Sequence, residues 1–250
     1  MSLLEALRVR LAQGKQFIPD VRTATPIGFR GRPRIAEGAC PTGCEACVAV
    51  CPTQAIALSP LAIDLGRCTL CNECVLACPE ARLELTAEPR MGATSREDLV
   101  ITAGAAARTE IRAAEGFAKL FKRSLKLRQV SAGGCNACEL ELNATANVNF
   151  DLQRYGIEWV ASPRHADALV LSGALTRTMQ DAVRLAWDAM PEPRFVVAVG
   201  ACAISGGLYD GARGVARGFL DDAIPALYVP GCPPHPLTFV NAILDLLGVA

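Results

Sequence analysis

Twelve cysteines carry most of the chemistry open to this 250-residue chain. Eight fall into two runs, Cys40-x3-Cys44-x2-Cys47-x3-Cys51-Pro52 and Cys68-x2-Cys71-x2-Cys74-x3-Cys78-Pro79. The second has the spacing in which three neighbouring thiolates wrap one [4Fe–4S] cubane while the fourth reaches another. Proline after that fourth cysteine fixes φ, removes an N–H and turns the chain away. By this logic Cys40, Cys44, Cys47 and Cys78 hold one cluster, and Cys68, Cys71, Cys74 and Cys51 hold the other. The extra residue between Cys40 and Cys44 reshapes one corner of the first cluster or tunes its potential. Zinc is the rival ligand, but zinc sites draw on separated pairs more than on three cysteines packed in one loop.

Cys135, Cys138, Cys202 and Cys232 remain, enough for a third cubane. Gly133-Gly134-Cys135, Gly200-Ala201-Cys202 and Pro230-Gly231-Cys232 each follow an apolar, strand-like stretch. Glycine there lets backbone come close to a ligand. In open α/β sheets ligands bind outside the carboxyl ends of the strands. Four buried structural cysteines are the alternative reading of the same residues.

The elements that must position these groups fall into four segments. Residues 1–34 form a basic arm, with Arg8, Arg10, Lys15, Arg22, Arg30, Arg32 and Arg34 against Glu5 and Asp20. Leu3, Leu4, Leu7 and Leu11 share one face of a short helix there, suited to a membrane interface, a partner groove or packing on its own domain. Residues 35–90 are a small α+β domain for the two cysteine runs. It contains the internal repeat Cys-Pro-Thr-Gln-Ala-Ile-Ala-Leu and Cys-Pro-Glu-Ala-Arg-Leu-Glu-Leu. Residues 91–127 read as a helical linker that starts near Ser95 and runs through Leu99, Ala103, Ala107, Ile111, Ala114, Phe117 and Phe121.

Residues 128–250 alternate strands (127–131, 157–161, 168–172, 195–199 and 226–229) with helices (138–150, 178–190 and 236–248). This is a parallel sheet covered by helices on both faces, of flavodoxin-like class. The formal net charge is zero, so bulk electrostatics give no attraction to nucleic acid. No export signal and no apolar run of spanning length are visible. Reduced, metal-binding thiols are therefore expected rather than disulfides.

Gly-Gly-Cys-Asn-Ala-Cys-Glu-Leu-Glu (133–141), Ser-Pro-Arg-His-Ala-Asp-Ala-Leu (162–169), Val-Gly-Ala-Cys-Ala-Ile-Ser-Gly-Gly (199–207) and Val-Pro-Gly-Cys-Pro-Pro (229–234) resemble the small subunit of membrane-bound [NiFe] hydrogenases. The likeness is greatest to the formate hydrogenlyase type, which is related to the 20-kDa subunit of respiratory complex I. Gly28-Phe29-Arg30-Gly31-Arg32-Pro33 before the two runs is similar to the ferredoxin-like subunit of the same complexes. Complex I has two adjacent cysteines at the first ligand position, whereas Cys135-x2-Cys138 is the hydrogenase arrangement.

The resemblance implies an oxidoreductase subunit that fuses two neighbouring subunits and relays electrons through three [4Fe–4S] clusters. Cys135, Cys138, Cys202 and Cys232 would hold the cluster nearest a nickel–iron centre on a separate large subunit. It further implies membrane-embedded partner subunits, a donor such as a formate dehydrogenase module or a ferredoxin, and a peripheral place on the cytoplasmic side of the inner membrane. No residue is assigned a catalytic role. Glu139 is expected to be structural or on a proton path. Arg164 and His165 are expected in a core or interface contact, and His235 at the surface or beside a cluster. A quinone-reducing relative of complex I, or a nickel-free ion-translocating relative, is the alternative function.

Overall fold

Five short strand segments, three of them buried at every residue, set the larger half of the molecule. The computed structural model describes residues 2–14, 17–106, 111, 117–121 and 124–249. In chain order the helices are α1 (Leu3–Gln13), α2 (Ala46–Ala49), α3 (Glu73–Ala77), α4 (Phe117–Phe121), α5 (Ala137–Ala144), α6 (Gln180–Asp188), α7 (Gly200–Ser205), α8 (Phe219–Asp222) and α9 (Pro236–Leu246). The strands are β1 (Pro33–Ile35), β2 (Ile56–Leu58), β3 (Leu61–Asp64), β4 (Leu83–Leu85), β5 (Val100–Thr102), β6 (Leu125–Ser131), β7 (Ile157–Trp159), β8 (Ala168–Ser172), β9 (Phe195–Val199) and β10 (Leu227–Val229).

Strands β6 to β10 form one parallel sheet in the order β10-β9-β8-β6-β7. Counted within this sheet the order is 2-1-3-4-5, the flavodoxin-like arrangement. Every residue of β8, β9 and β10 is buried, as expected of parallel strands covered on both faces. One face packs on α9 and α5 through Leu127, Val170, Val197, Leu142, Phe239 and Ile243. The other packs Leu169, Leu171 and Val196 against Val183 of α6 and Phe219 of α8. Helix α5 ends sooner than the pattern of 138–150 predicts: the Thr145 hydroxyl donates to the Leu142 carbonyl at 2.6 Å and receives the Trp159 indole N–H at 3.0 Å.

The cysteine-run segment is built from two small antiparallel pairings, β1 with β4, and β2 with β3, to whose far side β5 adds. Its apolar core is only Ile35, Ile56, Leu61, Ile63 and Leu83 beside the cysteines. Here the expected linker helix is corrected. Ser95 does receive the Asp98 N–H at 3.2 Å, but the turn stops as a single 3-10 turn at Glu97–Leu99 and passes into β5. Val100, Ile101 and Thr102 are β-branched, and Ile101 lies opposite Ile63 in the ladder, 2% exposed; burial in a sheet wins over a weak helical period. Most of the helix expected over 103–116 lies outside the described residues; Phe117–Phe121 is helical.

The basic arm is only partly free. None of the residues of α1 is buried, whereas the chain after it docks on α9. Val21 is fully buried, its carbonyl receives the Asn241 amide at 2.9 Å, and Arg22 pairs with Asp245. Among the described residues no helix is long and apolar enough to cross a membrane.

Candidate iron–sulfur sites

The chain folds each cysteine run around its own small void and sends its last cysteine to the other. Cys40, Cys44, Cys47 and Cys78 line one cavity together with Pro41, Leu61, Pro79 and Leu83. Cys51, Cys68, Cys71 and Cys74 line a second together with Ala55, Ile56, Ile63 and Leu70. The structure thus brings together the same two sets of four cysteines that the spacing groups. Each crossing is made by the same turn. Gln54 and Ala81 both take positive φ, 53° and 47°. The next amide then donates to the crossing sulfur: Ala55 N–H to Cys51 Sγ at 3.2 Å, and Arg82 N–H to Cys78 Sγ at 3.4 Å. The Leu70 N–H reaches Cys68 Sγ at 3.4 Å.

Burial pushes the Cys68 thiol up to about 12 and the Cys74 thiol up to about 11, with neighbouring thiols adding to the effect. Anions crowded in this setting need a compensating cation. Among the described residues no three His, Cys, Asp or Glu side chains are placed to hold a single metal ion; the sulfurs stand around a void instead. Four thiols per cavity, with exposed Glu80 at the edge of the first as the one carboxylate lining either, and amide N–H groups aimed at sulfur fit a sulfur-ligated polynuclear cluster.

The remaining four cysteines gather at the carboxyl edge of the parallel sheet. Cys135 lies in the β6–α5 loop, Cys138 in the first turn of α5, Cys202 in α7 after β9, and Cys232 just after β10. Burial pushes the Cys138 thiol up to about 12, and the charges of Glu139, Cys202, Cys232 and Cys135 push the same way. Gly200 makes the approach possible: its φ is +85°, and a Cβ there would stand 2.7 Å from Cys138 Sγ. The donor set again fits a cluster, with Cys135 and Cys232 on the exposed side.

Several supporting residues have no local sequence signal. Arg217 donates to the carbonyls of Cys202, Ala203 and Ile204 at 2.9, 2.7 and 2.8 Å, closing the last turn of α7. Arg82, 8% exposed, donates from Nη1 to Cys40 Sγ at 3.1 Å. Glu139 is buried, which opposes its charge, yet hydroxyls of Ser131 and Ser172 hold it below the usual carboxylate range; Ser172 Oγ donates to Oε1 at 2.7 Å. Arg164 and His165 are exposed on a 3-10 turn and belong to no core. His235 is half-buried between the rings of Phe29 and Phe150 and caps α9, its Nδ1 accepting the Leu237 N–H at 3.1 Å.

A profile of the family described as NADH ubiquinone oxidoreductase, 20 Kd subunit, matches residues 135–246. An uncharacterized protein of Methanocaldococcus jannaschii is 40% identical over 126 residues, which cover 84% of its length and 50% of this chain. The chain belongs to this family. Among its relatives, formate hydrogenlyase subunit 7 of Escherichia coli is 42% identical over 132 residues, 52% of this chain and 51% of that protein. An NADH-quinone oxidoreductase subunit of Citrifermentans bemidjiense is also 42% identical, over 114 residues, 45% of this chain and 66% of that protein. The chain thus spans about half the length of the first of these two relatives and under two thirds of the second. The family segment begins at Cys135, so both cysteine runs precede it.

Proposed function

We propose that this family member is the iron–sulfur electron-transfer subunit of a membrane-associated [NiFe] hydrogenase complex, a linear relay of three [4Fe–4S] clusters. One observation carries it: twelve cysteines gather in three groups of four, and the second group packs against the third. Bound clusters supply reversible one-electron storage; the chain's own residues set their spacing and surroundings. Leu65, Leu70 and Cys68 pack against Ala203 and Ile204 of the helix that carries Cys202. Arg67 pairs with Asp210 at 3.0 Å beside that contact, and Ala93 and Tyr228 exchange both backbone hydrogen bonds.

This supports the order Cys40 site, Cys68 site, Cys135 site, with the last facing the nickel–iron centre of a separate large subunit. In this reading residues 35–90 are a two-cluster ferredoxin-like domain and 128–250 the single-cluster domain, joined by 91–127. An electron-donor module, a formate dehydrogenase or a ferredoxin, meets the outer clusters. Membrane-embedded subunits hold the complex at the cytoplasmic face of the inner membrane.

The Cys135-x2-Cys138 spacing favours hydrogenase over a quinone-linked complex, and the equal identity to an NADH-quinone oxidoreductase subunit keeps the latter as the second reading. The test is hydrogen-dependent viologen reduction by the complex purified through a tag on this chain, with iron and nickel measured. Activity with nickel present is expected. An inactive, nickel-free complex that still holds about twelve irons on this chain would transfer the assignment to the quinone-linked or ion-translocating relatives.

A further inference from the structure

The two cysteine-run sites share a crossing turn and differ in the buried residue that follows it. After each crossing cysteine the chain makes the same left-handed turn, at Gln54 and at Ala81, and the next residue gives its N–H to the crossing sulfur. At the second site that residue is Ala55, 3% exposed; at the first it is Arg82, 8% exposed. The Arg82 guanidinium is held by the Ala36 carbonyl, which accepts from Nε at 3.3 Å and from Nη2 at 2.9 Å. This leaves Nη1 on Cys40 Sγ at 3.1 Å. The other cations near these sites are placed differently: Arg30 donates to the Cys71 carbonyl and Arg67 to the Thr53 carbonyl, neither to a sulfur. Glu80 also borders the first cavity, but it is exposed, and water screens it.

We propose that Arg82 is a positioning residue that raises the reduction potential of the cluster held by Cys40, Cys44, Cys47 and Cys78, and of that cluster alone. This rests on the three-cluster reading. Taking up one electron from the donor adds one negative charge to the cluster and its thiolates, with no proton or bond transferred. A buried cation hydrogen-bonded to a ligand sulfur stabilises that added charge. Ala55 gives no such help at the related site, so the pair is asymmetric although the ligand sets are equivalent.

Redox potentiometry followed by EPR on the intact tagged complex tests this, with Cys44→Ser and Cys71→Ser used to assign the two N-terminal signals. Arg82→Ala installs the side chain that the sister turn already carries. We expect its first-site signal to show about a tenfold lower reduced-to-oxidised ratio at the wild-type midpoint, about 59 mV for a one-electron couple. The other two signals should stay fixed, and Arg82→Lys should shift the first by less. Three intact signals with unchanged midpoints would overturn the role of Arg82 while leaving the relay standing. Wild-type complex without two N-terminal cluster signals would overturn the relay itself. Should Arg82→Ala lose the first cluster, Arg82→Gln keeps an N–H donor and reads the charge: a lowered midpoint supports the proposal, an unchanged one refutes it.

Discussion

At the scale of single residues, Gly200 tests the third site most sharply. Its φ of +85° and the 2.7 Å approach that a Cβ would make to Cys138 Sγ leave no room for alanine. The backbone cost alone is roughly 1–2 kcal/mol, and the displaced sulfur adds to it. We expect Gly200→Ala, like Cys202→Ser, to remove only the third cluster signal and lower iron on this chain from about twelve to about eight. Loss of all three signals would show that the sites do not fold independently. The grouping of the eight run cysteines was legible in the sequence because three of each four sit within one loop; Cys135, Cys138, Cys202 and Cys232 lie on separate elements and were grouped only by their places after strand-like stretches. Arg82 and Arg217 were not legible, because Arg82 meets Cys40 across 42 positions and Arg217 meets the end of α7 from the following loop. Nothing in their own neighbourhoods marks them.

At the scale of elements, apolar runs such as Phe195–Val199 announced the parallel strands, since strands covered on both faces need no alternation. Val100–Thr102 gave no such signal because three residues carry too short a pattern, and their partner, β3, lies some forty positions earlier. Helix α1 is the opposite case, an element whose local signals are complete. Ser2 and Glu5 form a reciprocal cap, yet Leu3, Leu4 and Leu11 stay 79%, 71% and 83% exposed. With Arg8 and Arg10 beside this apolar face, it suits a membrane interface or a partner. Deleting residues 2–14 is expected to release more of the complex from membranes in a mild salt wash while all three cluster signals persist. A fully retained complex would deny α1 any anchoring role. By contrast, Arg22→Ala removes contacts to Asn241 and Asp245 and should cost about 1–3 kcal/mol, visible as a lower thermal midpoint with attachment unchanged.

At the scale of the whole molecule, the two cysteine-bearing parts are held together by more than a tether. The Ala93–Tyr228 bridge, the Arg67–Asp210 pair and the packing of Leu65 and Leu70 on Ala203 and Ile204 fix the Cys68 site against the Cys202 helix. Covalent linkage keeps the effective concentration of one part beside the other high; the contacts fix the direction of approach. Electrons that enter at the third site should therefore reach the Cys40 site only through the Cys68 site. In a complex where hydrogen delivers them, rapid-freeze EPR should show the third signal reduced first and the Cys40 signal last. Cys71→Ser, which removes a ligand of the middle site, should leave hydrogen reduction of the third cluster intact and slow that of the first by at least tenfold. Reduction of the Cys40 cluster at the wild-type rate in this variant would mean a second entry route, and the linear order would have to be given up.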